Sequence, residues 1–192
     1  MDSSALNQFL ASIERRAFRT ALLSVHEDQA ALDLVQTSMM RLAEKYGQHP
    51  PDEWPLLFHR ILQNAILDHH RRQKVRRAWV TLLGDLRSGG QGGDDPEAGQ
   101  SMAEQIPAPV EGQPEQRHQQ SQTLSAIEQA VSLLPLRQRQ AFLLRYWEDM
   151  DIAQTAHIMG CSEGSVKTHC SRAVKALAQT LSEYKSLLKD MP

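Results

Sequence analysis

A run of hydrogen-bonding side chains near the C-terminus is the part of this sequence best suited to binding another molecule. Its members are bases and small hydroxyl residues: Lys167, Thr168, Ser171, Arg172 and Lys175. Arg and Lys bind guanine edges or phosphates, and Ser and Thr hydrogen-bond to either. No acidic residue lies between positions 164 and 182. These residue types predict DNA recognition rather than catalysis.

The surrounding residues predict a helix-turn-helix. Asp151 suits the N-cap of a first helix, whose apolar stripe is Ile152, Ala153, Ala156 and Met159. Gly160 follows where a helix end favours positive φ, and Ser162 suits the next N-cap. The second helix has an apolar face at steps of three and four: Val166, Cys170, Ala173, Leu177 and Leu181. Its polar side is placed to enter a major groove, although a merely solvated face would show the same periodicity.

The first 83 residues read as helices with one break, at 47–51, where a glycine and two prolines interrupt the pattern. Before the break, the spacing predicts an amphipathic helix with the stripe Leu32, Val35, Met39 and Leu42. After it, Pro55 fits the first turn of a second helix. That helix should bury Leu57, Ile61, Ala65 and Leu67.

The second helix also carries a polar face and a basic end. Arg60, Asn64, Asp68 and Arg71 recur on one side, and five bases lie between Arg71 and Arg77. Bases at a helix C-terminus are favoured by the dipole, but five exceed what a cap needs. A phosphate backbone nearby is the preferred interpretation. The loop at 46–53, before Trp54, is the candidate for holding an unpaired base, although Trp54 itself is more typical of a core or hinge.

The middle of the chain has the composition of a flexible linker. Residues 84–122 hold seven glycines, four prolines and eight glutamines, with few large apolar residues. They also hold seven acids and two bases, a net charge of −5, whereas the whole chain has a net charge of −2. The flanking regions are therefore mildly basic, at +3, as nucleic-acid binding requires.

Other kinds of chemistry find little support. No apolar run approaches a membrane span, and the N-terminus lacks a signal-peptide pattern. The spacing of His157, Cys161, His169 and Cys170 does not match zinc ligands, so no metal is expected. No phosphate-binding glycine loop or catalytic triad stands out, and neither a cofactor nor an enzymatic activity is predicted. Two cysteines in one motif fit a reduced, cytoplasmic protein.

The C-terminal motif resembles region 4 of the extracytoplasmic-function (ECF) sigma factors, subunits that direct bacterial RNA polymerase to promoters. The matching residues run from LPLRQRQAFLLRYWEDMDIAQ to CSEGSVKTHCSRAVKAL. Helix-turn-helices of LuxR-type regulators look similar. The resemblance implies minus-35 recognition by Lys167, Thr168, Ser171, Arg172, Lys175 and Arg145.

The N-terminal half resembles region 2 of the same family, through DLVQTSMMRL and FHRILQNAILDHHRR. The first segment implies docking on the β′ clamp of core polymerase through Asp33, Gln36 and Arg41. The second implies minus-10 reading and melting by Asn64, Asp68, Arg71, Arg72, Lys74 and Arg76. Two departures are Thr37, where the family has an acid, and Trp54, three residues before the family's usual Trp position.

We therefore expect an all-α protein with two small helical domains, at 1–83 and 123–192, joined by a linker at 84–122. The resemblance implies a sigma factor whose partners are promoter DNA and core RNA polymerase, including its β flap, and it leaves open an anti-sigma factor. One alternative is a self-contained helix-turn-helix regulator with an N-terminal sensory or dimerising domain. Another is an adaptor without promoter specificity.

Overall fold

A computed structural model of the chain describes residues 3–88 and 125–189, and every regular element in those two ranges is helical. The N-terminal domain contains α1 (Ser3–Val25), α2 (Asp28–Tyr46) and α3 (Trp54–Ser88). The C-terminal domain contains α4 (125–132), α5 (Leu136–Phe142), a π-helix (Leu143–Trp147), α6 (Ile152–Met159) and α7 (Glu163–Lys189). None of the helices in the described ranges has the length and apolarity needed to cross a membrane. The all-α prediction is confirmed.

The N-terminal domain is a three-helix bundle whose core is built on α3. Phe58, Leu62 and Ile66 are completely or almost completely buried there against Val35 and Leu42 of α2. Their spacing of four residues places them on one side of the helix. The helix continues to Ser88, five residues into the segment predicted as linker. The rest of that segment, from residue 89, lies outside the described residues.

The buried side of α2 differs from the predicted stripe. Ala31, Val35, Ser38 and Leu42 are the buried residues, whereas Leu32 is 38% exposed. The prediction for Leu32 was wrong because two stripes, one residue out of register, both satisfy a spacing of three and four. The small Ala31 and Ser38 allow α2 to approach its neighbours closely. Ser38 can lie in the core because its hydroxyl donates to the Leu34 carbonyl at 2.6 Å.

The C-terminal domain packs α7 against α5 and the π-helix. Val166, Cys170, Ala173 and Leu177 are buried as the sequence predicted. The π-helix inserts one extra residue into the helical turn, so its N–H groups donate to the carbonyl five residues earlier. The last such hydrogen bond joins the Glu148 N–H to the Leu143 carbonyl at 2.9 Å. This widened turn directs Trp147 and Glu148 away from the domain's own core and towards α1.

The two domains contact each other through a buried carboxylate, an arrangement that the sequence did not predict. The Glu148 side chain is 3% exposed and lies among residues of the N-terminal domain. The Thr20 hydroxyl donates to Glu148 Oε1 at 2.6 Å, and Arg16 Nε is 3.3 Å from Oε2. His59 Nε2 lies 3.6 Å from the same oxygen. Burial raises the pKa of Glu148, while Thr20 and Arg16 act in the opposite direction. Burial also lowers the pKa of His59 to about 4, so its ring is neutral at pH 7 and Arg16 is the cation beside the Glu148 side chain.

A buried arginine makes the reciprocal contact. Arg139 of α5 is 8% exposed, and its Nη1 donates to the Leu23 and Ser24 carbonyls at 2.8 and 3.0 Å. Those carbonyls belong to the C-terminal turn of α1, which a cation stabilises through the helix dipole. Nη2 of Arg139 donates to the carbonyl oxygens of Ser132 and Leu134, within the C-terminal domain. Burial lowers the pKa of Arg139 to about 10, so the guanidinium stays charged at neutral pH.

Candidate nucleic-acid interface

Local hydrogen bonds fix the turn of the helix-turn-helix as the sequence predicted. The Gln154 N–H donates to Asp151 Oδ1 at 2.7 Å, and the Asp151 N–H donates to Gln154 Oε1 at 2.9 Å, which forms a capping box. Gly160 ends α6 with φ of +62°, a left-handed conformation that favours glycine. Ser162 Oγ then accepts from the Ser165 N–H at 3.2 Å and caps α7. These contacts set the direction in which α7 leaves the domain.

The predicted reading residues of α7 lie together on its exposed side. Lys167, Thr168, Ser171, Arg172 and Lys175 are all exposed, while their apolar neighbours face the core. The Thr168 hydroxyl donates to the Gly164 carbonyl at 2.9 Å, which leaves its lone pairs to accept. The other four side chains make no hydrogen bond or ion pair with any residue that the structure describes. The contact between the domains therefore leaves this row of donors accessible.

Arg145 is placed differently from the other residues predicted for minus-35 recognition. It is half-buried in the π-helix, and its guanidinium donates to the Met150 carbonyl. That bond spans the turn that leads from the π-helix to α6. The observed contact therefore gives Arg145 a role in holding this turn.

The residues predicted for minus-10 recognition lie along the exposed side of α3. Asn64 and Asp68 are both exposed, one turn apart. Asp68 accepts from Arg71 Nη1 at 3.2 Å, an exposed ion pair that contributes little to stability. The remaining bases of the set, Arg72, Lys74 and Arg76, are exposed and have no partner among the described residues. All six side chains are exposed, and because an α-helix has about 3.6 residues per turn, Lys74 and Arg76 lie on different sides of α3.

Trp54 belongs to the core and is not available to stack on a base. It is 4% exposed, its ring lies 5.8 Å from that of Phe9, and its Nε1 donates to the Tyr46 carbonyl at 3.1 Å. The loop before it is held by a bond of 2.9 Å between His49 Nδ1 and Glu53 Oε2. Trp54 therefore anchors this loop to the bundle, in agreement with the core interpretation of its sequence position.

The residues predicted to bind polymerase lie on the outer side of α2. Asp33, Gln36 and Arg41 are exposed, and so are two large apolar residues beside them, Leu32 and the 62%-exposed Met40. The sequence analysis placed Leu32 in the core and gave Met40 no role, because apolar side chains are normally assigned to the core. Leu32 and Met40 each lie four residues from Gln36, and this spacing was the sequence signal that they share its exposed side of the helix. An exposed apolar patch rimmed by polar side chains is typical of a protein-binding surface.

Known proteins match both the C-terminal domain and the chain as a whole. The family described as Sigma-70, region 4 matches residues 124–177. The chain is 29% identical over 184 residues to the ECF RNA polymerase sigma factor SigM of Mycobacterium tuberculosis. This alignment covers 94% of the chain and 79% of SigM. It is 38% identical to the ECF sigma factor BldN of Streptomyces coelicolor over 72 residues, or 38% of this chain and 27% of BldN.

These comparisons make the chain similar to ECF sigma factors along most of its length and to region 4 of the sigma-70 family in its C-terminal domain. A solved structure agrees with the fold: the sigma factor RpoE of Bartonella quintana, in complex with the anti-sigma factor NepR, superposes with a TM-score of 0.61 at 22% identity. That match covers 91% of this chain and 97% of RpoE. The function expected of the chain is therefore that of a sigma factor, which directs RNA polymerase to promoters, and the self-contained regulator receives no support from these comparisons.

Proposed function

We propose that α7 reads the minus-35 element through Lys167, Thr168, Ser171 and Arg172, and that Lys175 binds a neighbouring phosphate. The observation that supports this proposal is the row of exposed donors on α7, with no acid in the chain between residues 164 and 182. Arg172 lies within three turns of the helix start, on the part that enters a groove. Asn64, Asp68 and the bases that follow them on α3 form the corresponding surface for the minus-10 strand, whereas Arg145 serves the domain's own turn.

A minus-35 base-substitution scan tests the reading residues. A bidentate contact between Arg and guanine contributes about 1–3 kcal/mol of discrimination. Arg172→Ala should lower promoter-specific transcription by reconstituted polymerase and relax the preference at one or two minus-35 bases. Lys175→Ala, the matched control, should weaken binding at every sequence equally and reduce the salt slope by about one. Unchanged base profiles for all four reading residues would remove α7 from this role.

We further propose that core polymerase binds the outer side of α2. The exposed Leu32 and Met40, flanking Gln36, supply apolar contact area, and Asp33 and Arg41 supply the polar rim. The double variant Gln36→Glu with Arg41→Glu should weaken capture of core polymerase while the helix content stays unchanged. The matched control is Gln8→Glu with Arg15→Glu, which makes the same changes on exposed positions of α1. Equal capture by both double variants would contradict this assignment.

An anti-sigma factor is the remaining partner of the proposal. The sigma factor RpoE, which has a similar fold, was solved in complex with the anti-sigma factor NepR. In this chain, a shallow groove of about 530 Å³ lies where the two domains meet, lined by Arg15, Arg16, Arg19, Tyr146 and Trp147. Arginines beside exposed aromatic rings suit an acidic peptide with apolar anchors. As a bacterial sigma factor the protein would act in the cytoplasm, where the polymerase supplies the catalysis.

A further inference from the structure

The C-terminal end of α6 accepts a hydrogen bond that neither the apolar core nor the proposed DNA contacts account for. The last four carbonyls of an α-helix have no donor within that helix. The carbonyl of Met159, the last residue of α6, instead accepts from Nη1 of Arg137 at 3.1 Å. Arg137 lies on α5, 22 residues earlier in the chain. The dipole of α6 also favours a cation at this end.

The side chain of Arg137 has a second partner that holds it in place. The same Nη1 donates to Oε1 of Gln140 at 3.1 Å, and Gln140 is buried on the next turn of α5. Arg145 ties the opposite end of α6, because it donates to the Met150 carbonyl. Two arginines from the preceding helices therefore hold both ends of α6. Hydrogen bonds are directional, so they restrict the direction of a helix more closely than apolar packing does.

The direction of α6 is passed to α7 across a short turn. Only residues 160–162 separate the two helices, and Val166 of α7 packs in the same apolar cluster as Met159. Arg172 lies about 14 Å beyond the start of α7 at the rise of an α-helix. A rotation of about 5° at the turn would therefore move Arg172 by about 1.2 Å. Such a shift exceeds the range of about 0.5 Å over which the donor–acceptor distance of a hydrogen bond varies.

We propose that Arg137 is a positioning residue, which sets the angle at which α7 presents its reading side chains to the minus-35 element. The inference rests on the proposed function in taking α7 to read that element. It adds a residue that contacts no base and acts on all the reading side chains together. A reading residue affects only the bases that it contacts, whereas Arg137 should affect the preference at every base that α7 reads.

A minus-35 base-substitution scan with the full-length chain and core polymerase distinguishes these two patterns. One bidentate contact discriminates the best base from the worst by about 5- to 150-fold. Arg137→Met removes the donor and should lower this ratio at every position that α7 reads, whereas Arg172→Ala should lower it at one or two. Arg137→Lys keeps a cationic donor and should restore most of the preference.

Arg139→Met is the matched control for stability. Arg139 lies on the same helix as Arg137, but none of its hydrogen bonds reaches α6. Arg139→Met should destabilise the protein more than Arg137→Met does and leave the base preferences unchanged. Equal loss of preference in both variants would attribute the effect to stability and overturn the inference.

A direct contact between Arg137 and a phosphate is the alternative, because this side chain is exposed. In that case Arg137→Met would weaken binding at every sequence equally, reduce the salt slope by about one and keep the base preferences. That result would overturn the inference, and so would base preferences and affinity that both stay unaltered.

Residual dipolar couplings of the free chain test the position of α7 without DNA. Arg137→Met should change the angle between α5 and α7 by about 5° or more, and an unchanged angle would overturn the inference. A lack of minus-35 preference in the unaltered chain would contradict the proposed function instead. The couplings would still decide whether Arg137 sets the direction of α7.

Discussion

The contact between Thr20 and Glu148 gives a quantitative test of whether the two domains hold each other in solution. Both side chains are buried, and the hydroxyl donates to the carboxylate at 2.6 Å. A hydrogen bond to a charged group contributes about 1.5–3 kcal/mol to stability. In a double-mutant cycle, Thr20→Val removes the donor at nearly constant volume and Glu148→Gln removes the charge. The coupling free energy between the two changes should be at least about 1.5 kcal/mol.

The assay is urea unfolding of the four proteins of the cycle, followed by circular dichroism. The matched control is the pair Gln29 and Asp33, whose 3.1 Å hydrogen bond is exposed and lies within α2. A helical pair of this kind contributes about 0.2–0.5 kcal/mol, so its cycle sets the scale for an exposed contact. Coupling between Thr20 and Glu148 no larger than that of the control would refute the buried contact between the domains.

Three further changes test particular parts of the structure. Arg139→Met should cost about 1–3 kcal/mol of unfolding free energy, because it leaves the Leu23 carbonyl without its buried donor, whereas Arg137→Met, which loses bonds only within the C-terminal domain, should cost less by the same urea assay. His59 is buried in its neutral form, so its contribution to stability is complete above pH 6.5 and is lost as the pH falls towards the folded pKa of about 4. Relative to His59→Gln, the unaltered protein should lose up to about 3 kcal/mol of unfolding free energy across that window. A difference between the two proteins that stays constant with pH would contradict this pKa. Gly160→Ala should lower stability by about 1–2 kcal/mol through its positive φ alone, since nothing lies within 4 Å of an added Cβ. The control Gly164→Ala, inside α7, should be neutral or stabilising. Equal shifts of the thermal melting temperature in the two variants would exclude the backbone explanation.

The parts of the fold that the sequence predicted are those whose signals are local. The N-cap at Asp151, the left-handed Gly160 and the cap at Ser162 each depend on residues within three or four positions of one another. The buried face of α7 was predicted for the same reason, since a single helical period orders it. On α2, by contrast, two apolar stripes fit the same period. Leu32 was placed on the wrong side because periodicity does not show which stripe a neighbouring helix covers.

The contact between the domains escaped prediction because its members are polar and far apart in the chain. Arg139 stands in a segment rich in Arg and Gln and gives no sign that it is buried. Glu148 reads as an ordinary turn residue, and the π-helix that directs it towards α1 has no recognised pattern in the sequence. Such residues become visible only when the fold brings Arg16, Thr20 and the end of α1 beside them.

The contact between the domains combines polar and apolar side chains, and it lies away from the reading residues of α7. Apolar side chains cross between the domains as well: Leu56 of α3 packs against the core around α6, and Leu23 of α1 packs against the core shared by α4 and α7. Polar contacts join the domains at Glu148 and Arg139 and also at two further pairs, Arg60 with His157 at 3.0 Å and Arg19 with Glu128. Buried charges of this kind are strongly destabilising when one partner is removed, but an ion pair gives little net stabilisation over well-packed apolar residues. None of these contacts involves Lys167, Thr168, Ser171, Arg172 or Lys175, so the row of donors on α7 stays accessible.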